Sequence, residues 1–407
     1  MLSFEDARAR VIEVIGAQPR TTRTEIIDIS SDPARALGRV LAKDVLADRD
    51  YPPFNRSTRD GYAVRAADAA AGAKLRLIGE SRAGIAFEGS VGKGECVRIL
   101  TGAPVPSGAD AVVMQEYARL EGDFVQFERA TTAGQNFVAA GTEGKAGDKA
   151  IGRGTRLGYA ELAVAAQVGR TKLRVNPRPR VAILSTGDEV VNVDAAPGPF
   201  QIRNSNSVSL AAQVALAGGE PVMLGNAADD VKEIRARIEK GLESDILVLS
   251  GGVSVGTYDL VEPVLGELGA EFFFDSVAIR PGKPAVFAKC RGKGVFGLPG
   301  NPVSTMVTFE LFVAPAIEIL SGAQAHDLAL FKAKLAHGVE EKPPLAHFLP
   351  AEVHSNGGDP TVELIRWQGS GDVGAVARGN CFLLVRGERQ KIAAGEWVDV
   401  LPRRGMF

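Results

Sequence analysis

The chain has 407 residues, 45% hydrophobic and 24% charged. That is the composition of folded globular domains, and at ~100–200 residues per domain it predicts two to four of them. The 47 basic and 49 acidic residues leave a net charge of −2, which argues against a general nucleic-acid or membrane surface.

Cys96, Cys290 and Cys381 share no close spacing, which speaks against a structural zinc site or a disulfide framework. His326, His337, His347 and His354 all fall late in the chain, away from the loops described below, so a Ser-His-Asp triad is not expected there. The chemistry falls to carboxylates, Arg and Lys, hydroxyls and backbone amides, with room for a hard metal ion. The opening Met1 to Arg8 carries charges where a signal peptide is apolar. No apolar run approaches the ~20 residues that span a bilayer. A cytoplasmic protein is expected.

In chain order, residues 1–45 read as helical. Phe4-Glu5-Asp6-Ala7 starts one helix, and Ser31-Asp32-Pro33-Ala34 reads as an N-cap followed by a proline near the first helical position. Residues 46–140 are glycine-rich, with short alternating runs such as Lys74–Ile78 and Asp110–Met114, and predict a small β domain. Residues 141–175 return to helix over Tyr159–Gln167, so 1–45 and 141–175 are expected to form a helical linker domain around the inserted β domain. Residues 176–325 alternate strand and helix and predict an α/β domain. From 326 to 407 short strands return, among them Cys381–Val385.

Within the α/β region three apolar runs break into glycine-containing turns. Ile246–Leu249 leads into Ser250-Gly251-Gly252-Val253-Ser254-Val255-Gly256, with a helix expected from Tyr258. Arg180–Leu184 leads into Ser185-Thr186-Gly187-Asp188-Glu189, and Gly294–Gly297 into Leu298-Pro299-Gly300-Asn301-Pro302-Val303-Ser304 and a long apolar helix to about Leu320. Such runs read as buried parallel strands. Bare amides at a strand-to-helix turn, beside the positive end of the helix dipole, form an anion site. Strand ends of a parallel sheet point the same way, so the three turns are expected to line one rim and hold a phosphate-bearing ligand.

Two literal motif matches fail on context. Gly292–Gly297 fits G-x-G-x-x-G but lies before and within a strand, not after one. Gly251–Thr257 has P-loop glycine spacing with Thr257 where lysine belongs. Arg280 and Lys283 flank a Pro-Gly turn and read either as solvated charges or as a cationic clamp on that rim. Asp188, Glu189, Asp229, Asp230 and Asp259 lie at turns, where carboxylates also cap helices. Acids beside a phosphate call for a bridging cation, and Mg²⁺ takes oxygen ligands from both. The polar loop Arg203–Ser207 reads as the cap of a helix over Val208–Leu216.

Taken together, the motifs resemble the MoeA/gephyrin family of molybdopterin molybdotransferases over nearly the whole chain. The carriers are Pro52–Val64, Thr101–Pro106 with Gly108–Asp110, Ser185–Glu189, Ser250–Gly256 with Asp259, Ile279–Pro284 and Gly297–Ser304. The resemblance implies an elongated multidomain α/β plus β chain. It would have a three-layer α/β molybdopterin-binding domain, a small β domain inserted after the N-terminal segment, and a C-terminal β-barrel-like domain. The implied reaction inserts molybdate into adenylylated molybdopterin and releases AMP, in a step that needs Mg²⁺ or another divalent cation.

By analogy Asp60, Thr101, Glu189, Asp229 and Asp259 surround molybdate, metal and the cleaved phosphoanhydride, with Glu189 and Asp259 as metal ligands. Residues 185–188, 250–256, Arg280, Lys283, Pro299–Pro302, Ser304 and Ser370 are the implied substrate contacts. A homodimer is implied, its site shared between the α/β domain of one subunit and the β domain of the other. The implied partners are a molybdopterin adenylyltransferase and molybdoenzyme acceptors. Departures are Arg280 where lysine is common, Arg59 for an apolar residue, Glu143 for an aspartate, and Leu345–Pro350 without the usual arginines; Gly369–Asp372 keeps the family's turn. Two rivals stand beside this reading: a non-catalytic scaffold or binding protein on the same fold, and an enzyme acting on another nucleotide-linked small molecule.

Overall fold

The computed structural model describes residues 1–19, 22–252, 260–324, 326–355, 357–389 and 391–406. The N-terminal helix α1 (Phe4–Gly16) is capped by Ser3, whose hydroxyl accepts from the Asp6 amide. It buries Phe4, Ala7, Val11 and Ile15, one stripe at helical spacing.

That stripe packs on a central sheet of six strands among the described residues. These are β1 (Arg180–Thr186), β2 (Glu220–Ala227), β3 (Ile246–Ser250), β4 (Glu271–Phe274), β5 (Val286–Cys290) and β6 (Lys293–Leu298), in the spatial order β2-β1-β3-β6-β5-β4. The first four in that order are parallel, β5 runs antiparallel to β6, and the edge strand β4 is antiparallel to β5 and so runs with the first four. Helices α2 (Ser205–Ala217), α3 (Val231–Gly241), α4 (Val261–Glu267), α5 (Pro302–Thr308) and α6 (Ala314–Leu320) cover the two faces, giving three layers. The strands are apolar on both sides because both sides are covered. Val181, Ile183, Ile246 and Val248 point into the cluster with α1, α2, α5 and α6, whereas Ala182, Leu184, Leu247 and Leu249 point into the one with α3 and α4.

Helix α5 runs through a π turn (Phe309–Val313) into α6, continuous from Pro302 to Leu320. This stretch is long and apolar enough to cross a membrane, which the reading of apolar runs above missed; 83% of its apolar window is buried in the domain. Arg8 of α1 donates to the Leu311 carbonyl inside the π turn at 3.1 Å and to the His326 carbonyl at 2.7 Å, fixing α1 against this helix.

Residues 1–45 are not a helical unit. Glu25–Asp28 is a strand paired antiparallel with Lys172–Val175, and among the described residues between 17 and 45 the helical piece is one 3₁₀ turn, Ala34–Ala36. Asp32 does accept the Arg35 amide as a cap would, but Gly38, at φ +72°, ends the turn at once. Of residues 141–175 the helix covers Tyr159–Gln167, with strands at Lys149–Ile151 and Lys172–Val175. Ile27, Leu41, Tyr51, Leu157 and Leu162 share one small core, joining the two flanks of the inserted domain, while α1 belongs to the α/β core.

The inserted β domain is a sheet in the order Ala111–Met114, Gly61–Val64, Glu95–Ile99, Lys74–Ser81, Phe124–Phe127, Ala118–Glu121. In the C-terminal domain Ala346–His354, Thr361–Leu364, Phe331–Leu335, Trp397–Pro402 and Cys381–Val385 pair in that order. The last pairs back with the first, closing a barrel.

Candidate active site

The strands β1, β3 and β6 end level with one another: Ser185 pairs with Ser250, and Ser250 with Leu298. Their turns open a cavity of about 290 Å³. Ser185, Thr186 and Glu189 line it from the first turn, Ser250 and Gly251 from the second, and Gly300, Asn301 and Pro302 from the third. The three turns therefore share one rim, as the strand–turn pattern requires. Gly251 and Gly252 have φ of +92° and +62°. A Cβ on Gly251 would stand 2.8 Å from the Thr186 carbonyl, so only glycine fits. Val253, Ser254, Val255, Gly256, Tyr258 and Asp259 lie outside the described residues; α4 follows at Val261.

The cavity's remaining wall is the start of α2, with Ile202, Arg203, Asn204, Ser205 and Asn206. Asn204 caps the helix through the Ser207 amide and meets Ser185 Oγ at 3.2 Å. Asn206 Nδ2 donates to Ser250 Oγ at 2.8 Å and to the Gly300 carbonyl at 2.7 Å. Read as a simple cap in the sequence, this loop is part of the site. The signal available was two asparagines in three residues, one more than a cap needs.

Three carboxylates gather at the β1 and β2 ends. Asp188 Oδ1 accepts the Asp229 amide at 3.0 Å, and Glu189 lines the cavity. Burial pushes the Asp229 carboxyl above its ordinary range, and the charges of Asp188 and Glu189 push it further. Gly187, at φ +126°, makes the close turn: a Cβ there would meet Glu189 Oε2 at 2.5 Å. Asp230 is a structural cap, accepting the Glu233 amide at 2.9 Å. Among the described residues no group of three His, Cys, Asp or Glu could hold a metal ion; these acids repel one another without forming a cage.

The remaining site residues fall elsewhere. Asp60 Oδ1 accepts both the amide and the hydroxyl of Thr101, each at 2.6 Å, and these bonds hold its carboxyl below the usual carboxylate range. The pair belongs to the inserted β domain and does not line the cavity of its own chain. Arg280 and Lys283 are both exposed and do not line it either. Arg280 pairs in register with His347 at the barrel's edge, and the Gly282 turn rests against Thr308 of α5. Pro299 and Ser304 act through backbone, their carbonyls accepting from the Thr305 and Thr308 hydroxyls at 2.5 and 2.8 Å. Ser370 reaches the start of α5 from the C-terminal region, its carbonyl accepting the Val303 amide at 2.9 Å.

Residues 2–169 match the MoeA N-terminal region (domain I and II), 182–319 a probable molybdopterin binding domain, and 332–402 the MoeA C-terminal region (domain IV). The molybdopterin molybdenumtransferase of Haemophilus influenzae is 33% identical over 406 residues, 99% of this chain and 98% of its own. That of Bacillus subtilis is 34% identical over 377 residues, 90% and 87% of the two chains. The structure titled molybdopterin biosynthesis moeA protein from Pyrococcus horikoshii OT3 superposes with a TM-score of 0.80 at 29% identity, covering 99% of this chain and 100% of that one. With its three-layer domain, inserted β domain and closed barrel in one order, and with matches along almost its whole length, the chain belongs to the MoeA family.

Proposed function

We propose that this protein inserts molybdenum into molybdopterin in molybdenum cofactor synthesis, with molybdate and adenylylated molybdopterin as substrates and AMP as the second product. The observation that carries this is the cleft where three glycine turns meet beside clustered acids. The turns supply amides for phosphate. Asp188 and Glu189 lie beside Asp229, whose carboxyl is pushed up first by desolvation and then by their charge.

The described acids form no cage on their own, so a divalent cation such as Mg²⁺ would need further oxygen donors, and its charge would relieve their mutual repulsion. Glu189 and Asp259 would hold it. When bound, it would neutralise the phosphates whose linkage is broken.

The separation of Asp60 and Thr101 from the cavity supports a homodimer in which the partner's β domain completes the site. A Thr101-fixed carboxylate suits orienting a group rather than exchanging a proton. Transfer from a molybdopterin adenylyltransferase, delivery to molybdoenzyme acceptors and a cytoplasmic setting complete the proposal.

Incubating the protein with adenylylated molybdopterin, molybdate and Mg²⁺ and measuring AMP tests it. Stoichiometric AMP release dependent on molybdate is expected. Binding of molybdopterin without AMP release would leave a scaffold, and preference for ordinary nucleotides would leave an enzyme of another nucleotide-linked substrate.

A further inference from the structure

Asn206 is the second residue of α2, in the wall of the cleft. Its amide nitrogen carries two protons, one given to Ser250 Oγ and the other to the Gly300 carbonyl. A carbonyl only accepts, so the nitrogen must face Gly300, and the partners fix which way the amide points. Ser250 ends β3 and Gly300 lies in the turn after β6. One side chain thus ties together two of the turns that form the anion cradle.

The remaining atom, Asn206 Oδ1, is shielded from solvent and has no hydrogen-bond partner among the described residues. Thr186 Oγ1, in a residue 3% exposed and lining the same cavity, is in the same condition. A buried acceptor in that state has given up water and gained nothing. Asn204 is different: its Oδ1 receives the Ser207 amide at 3.0 Å and faces Ser185 Oγ at 3.2 Å. Of the two asparagines, one is consumed by the cap and the other keeps an oxygen free.

We propose that Asn206 is a positioning and specificity residue. It sets the separation of the two glycine turns and offers its oxygen to an N–H or O–H donor on the uncharged part of the ligand. A fully ionised phosphate oxygen has no proton to give and is repelled by an amide oxygen, whereas the N–H edge of a heterocycle complements it. Backbone amides of the turns would then take the anionic end and Asn206 the heterocycle, while the Thr186 hydroxyl lies against the Gly251–Gly252 turn. The identity of that heterocycle as a pterin rests on the proposed function.

The test measures molybdopterin binding by pterin fluorescence, with kcat and KM for AMP release, in full-length wild type, Asn206→Ala and Asn206→Asp. Asn206→Ala is expected to weaken binding and raise KM by about 10- to 100-fold, the scale of one to two lost hydrogen bonds of this kind, with at most a small fall in melting temperature from the two lost ties between the turns. At neutral pH Asn206→Asp keeps an acceptor but loses both donated bonds, and binds as poorly. As pH falls its carboxyl takes up a proton, regains a donor, and its affinity relative to wild type at the same pH rises.

Wild-type affinity and KM in Asn206→Ala would overturn the proposal. So would a lowered melting temperature with unaltered KM, or a pH-independent affinity ratio for Asn206→Asp. If wild type binds molybdopterin but releases no AMP, the proposed reaction falls, and the affinity comparison still decides the role of Asn206.

Discussion

Asp229 and Asp60 are both aspartates at turn positions, yet the fold treats them oppositely. Asp229 sits at the end of the central sheet, where burial and two neighbouring acids raise its carboxyl. Asp60 sits at the edge of the inserted β domain, where a hydroxyl and an amide from one residue lower it. The first region sets exposed negative charges beside one another, a repulsion that a cation or a proton relieves. The second holds a carboxylate that is already satisfied and rigid. Balance, rather than the presence of acids, separates a place for chemistry from a place for orientation.

The largest effect that would sharpen this contrast is on turnover. Glu189→Gln should lower kcat by about 100-fold or more, the range seen when a positioned electrostatic group is lost, and Asp259→Ala should abolish turnover with the fold intact by circular dichroism. Wild-type kcat in either would break the charge argument for the strand-end region.

Next is stability at the other region. A Cβ on Gly61 would fall 1.9 Å from the Val113 carbonyl, so Gly61→Ala should destabilise the inserted domain by about 3 kcal/mol through backbone displacement. Denaturant melts should show the loss in that domain and not in the central one.

A smaller effect is Thr101→Val, which removes the hydroxyl bond. The Asp60 carboxyl should move up towards its ordinary value in NMR titration, and the acid limb of the pH–rate profile should move to higher pH. Because this carboxyl is lowered by folding, its contribution to stability is present above the unfolded value and lost as pH falls through the folded one. Thr101→Val should therefore shrink that acid-side dependence.

Smallest is Asp229→Asn. Here folding raises the carboxyl, so the contribution is full below the unfolded value and lost as pH rises through the folded one. Asp229→Asn should remove that loss and stabilise the protein at pH 7 by less than about 1 kcal/mol, given solvent screening. A divalent cation should raise the wild-type melting temperature more at pH 7 than at pH 4, and equal shifts at both would contradict the assignment.

The parts of the fold that could be read from the chain were those with local causes. Ile246–Leu249 and Arg180–Leu184 are apolar on successive residues and stop at glycine, and both proved to be strands of the central sheet, as Ile246–Ser250 and Arg180–Thr186. Errors came where a local rule held but a distant partner decided. Asp32 caps as expected, yet Ile26 and Ile27 pair with residues near 173, and the segment is a strand. Asn206 looked like capping chemistry because Asn204, two residues away, does cap. Its tie to Gly300 spans 94 positions that no local pattern encodes.

The docking of α1 has a consequence for how this chain is made. Phe4, Val11 and Ile15 complete a core whose first strand starts at Arg180. At ~5–20 residues per second a ribosome needs roughly ten to forty seconds to deliver that strand. For that interval the helix has no strand of its sheet for its apolar stripe to pack on. A fragment cut at residues 176–325 would inherit the same bare surface permanently, so the α/β domain is expected to require its distant first helix, supplied in cis or as an added peptide, to stay monomeric and folded.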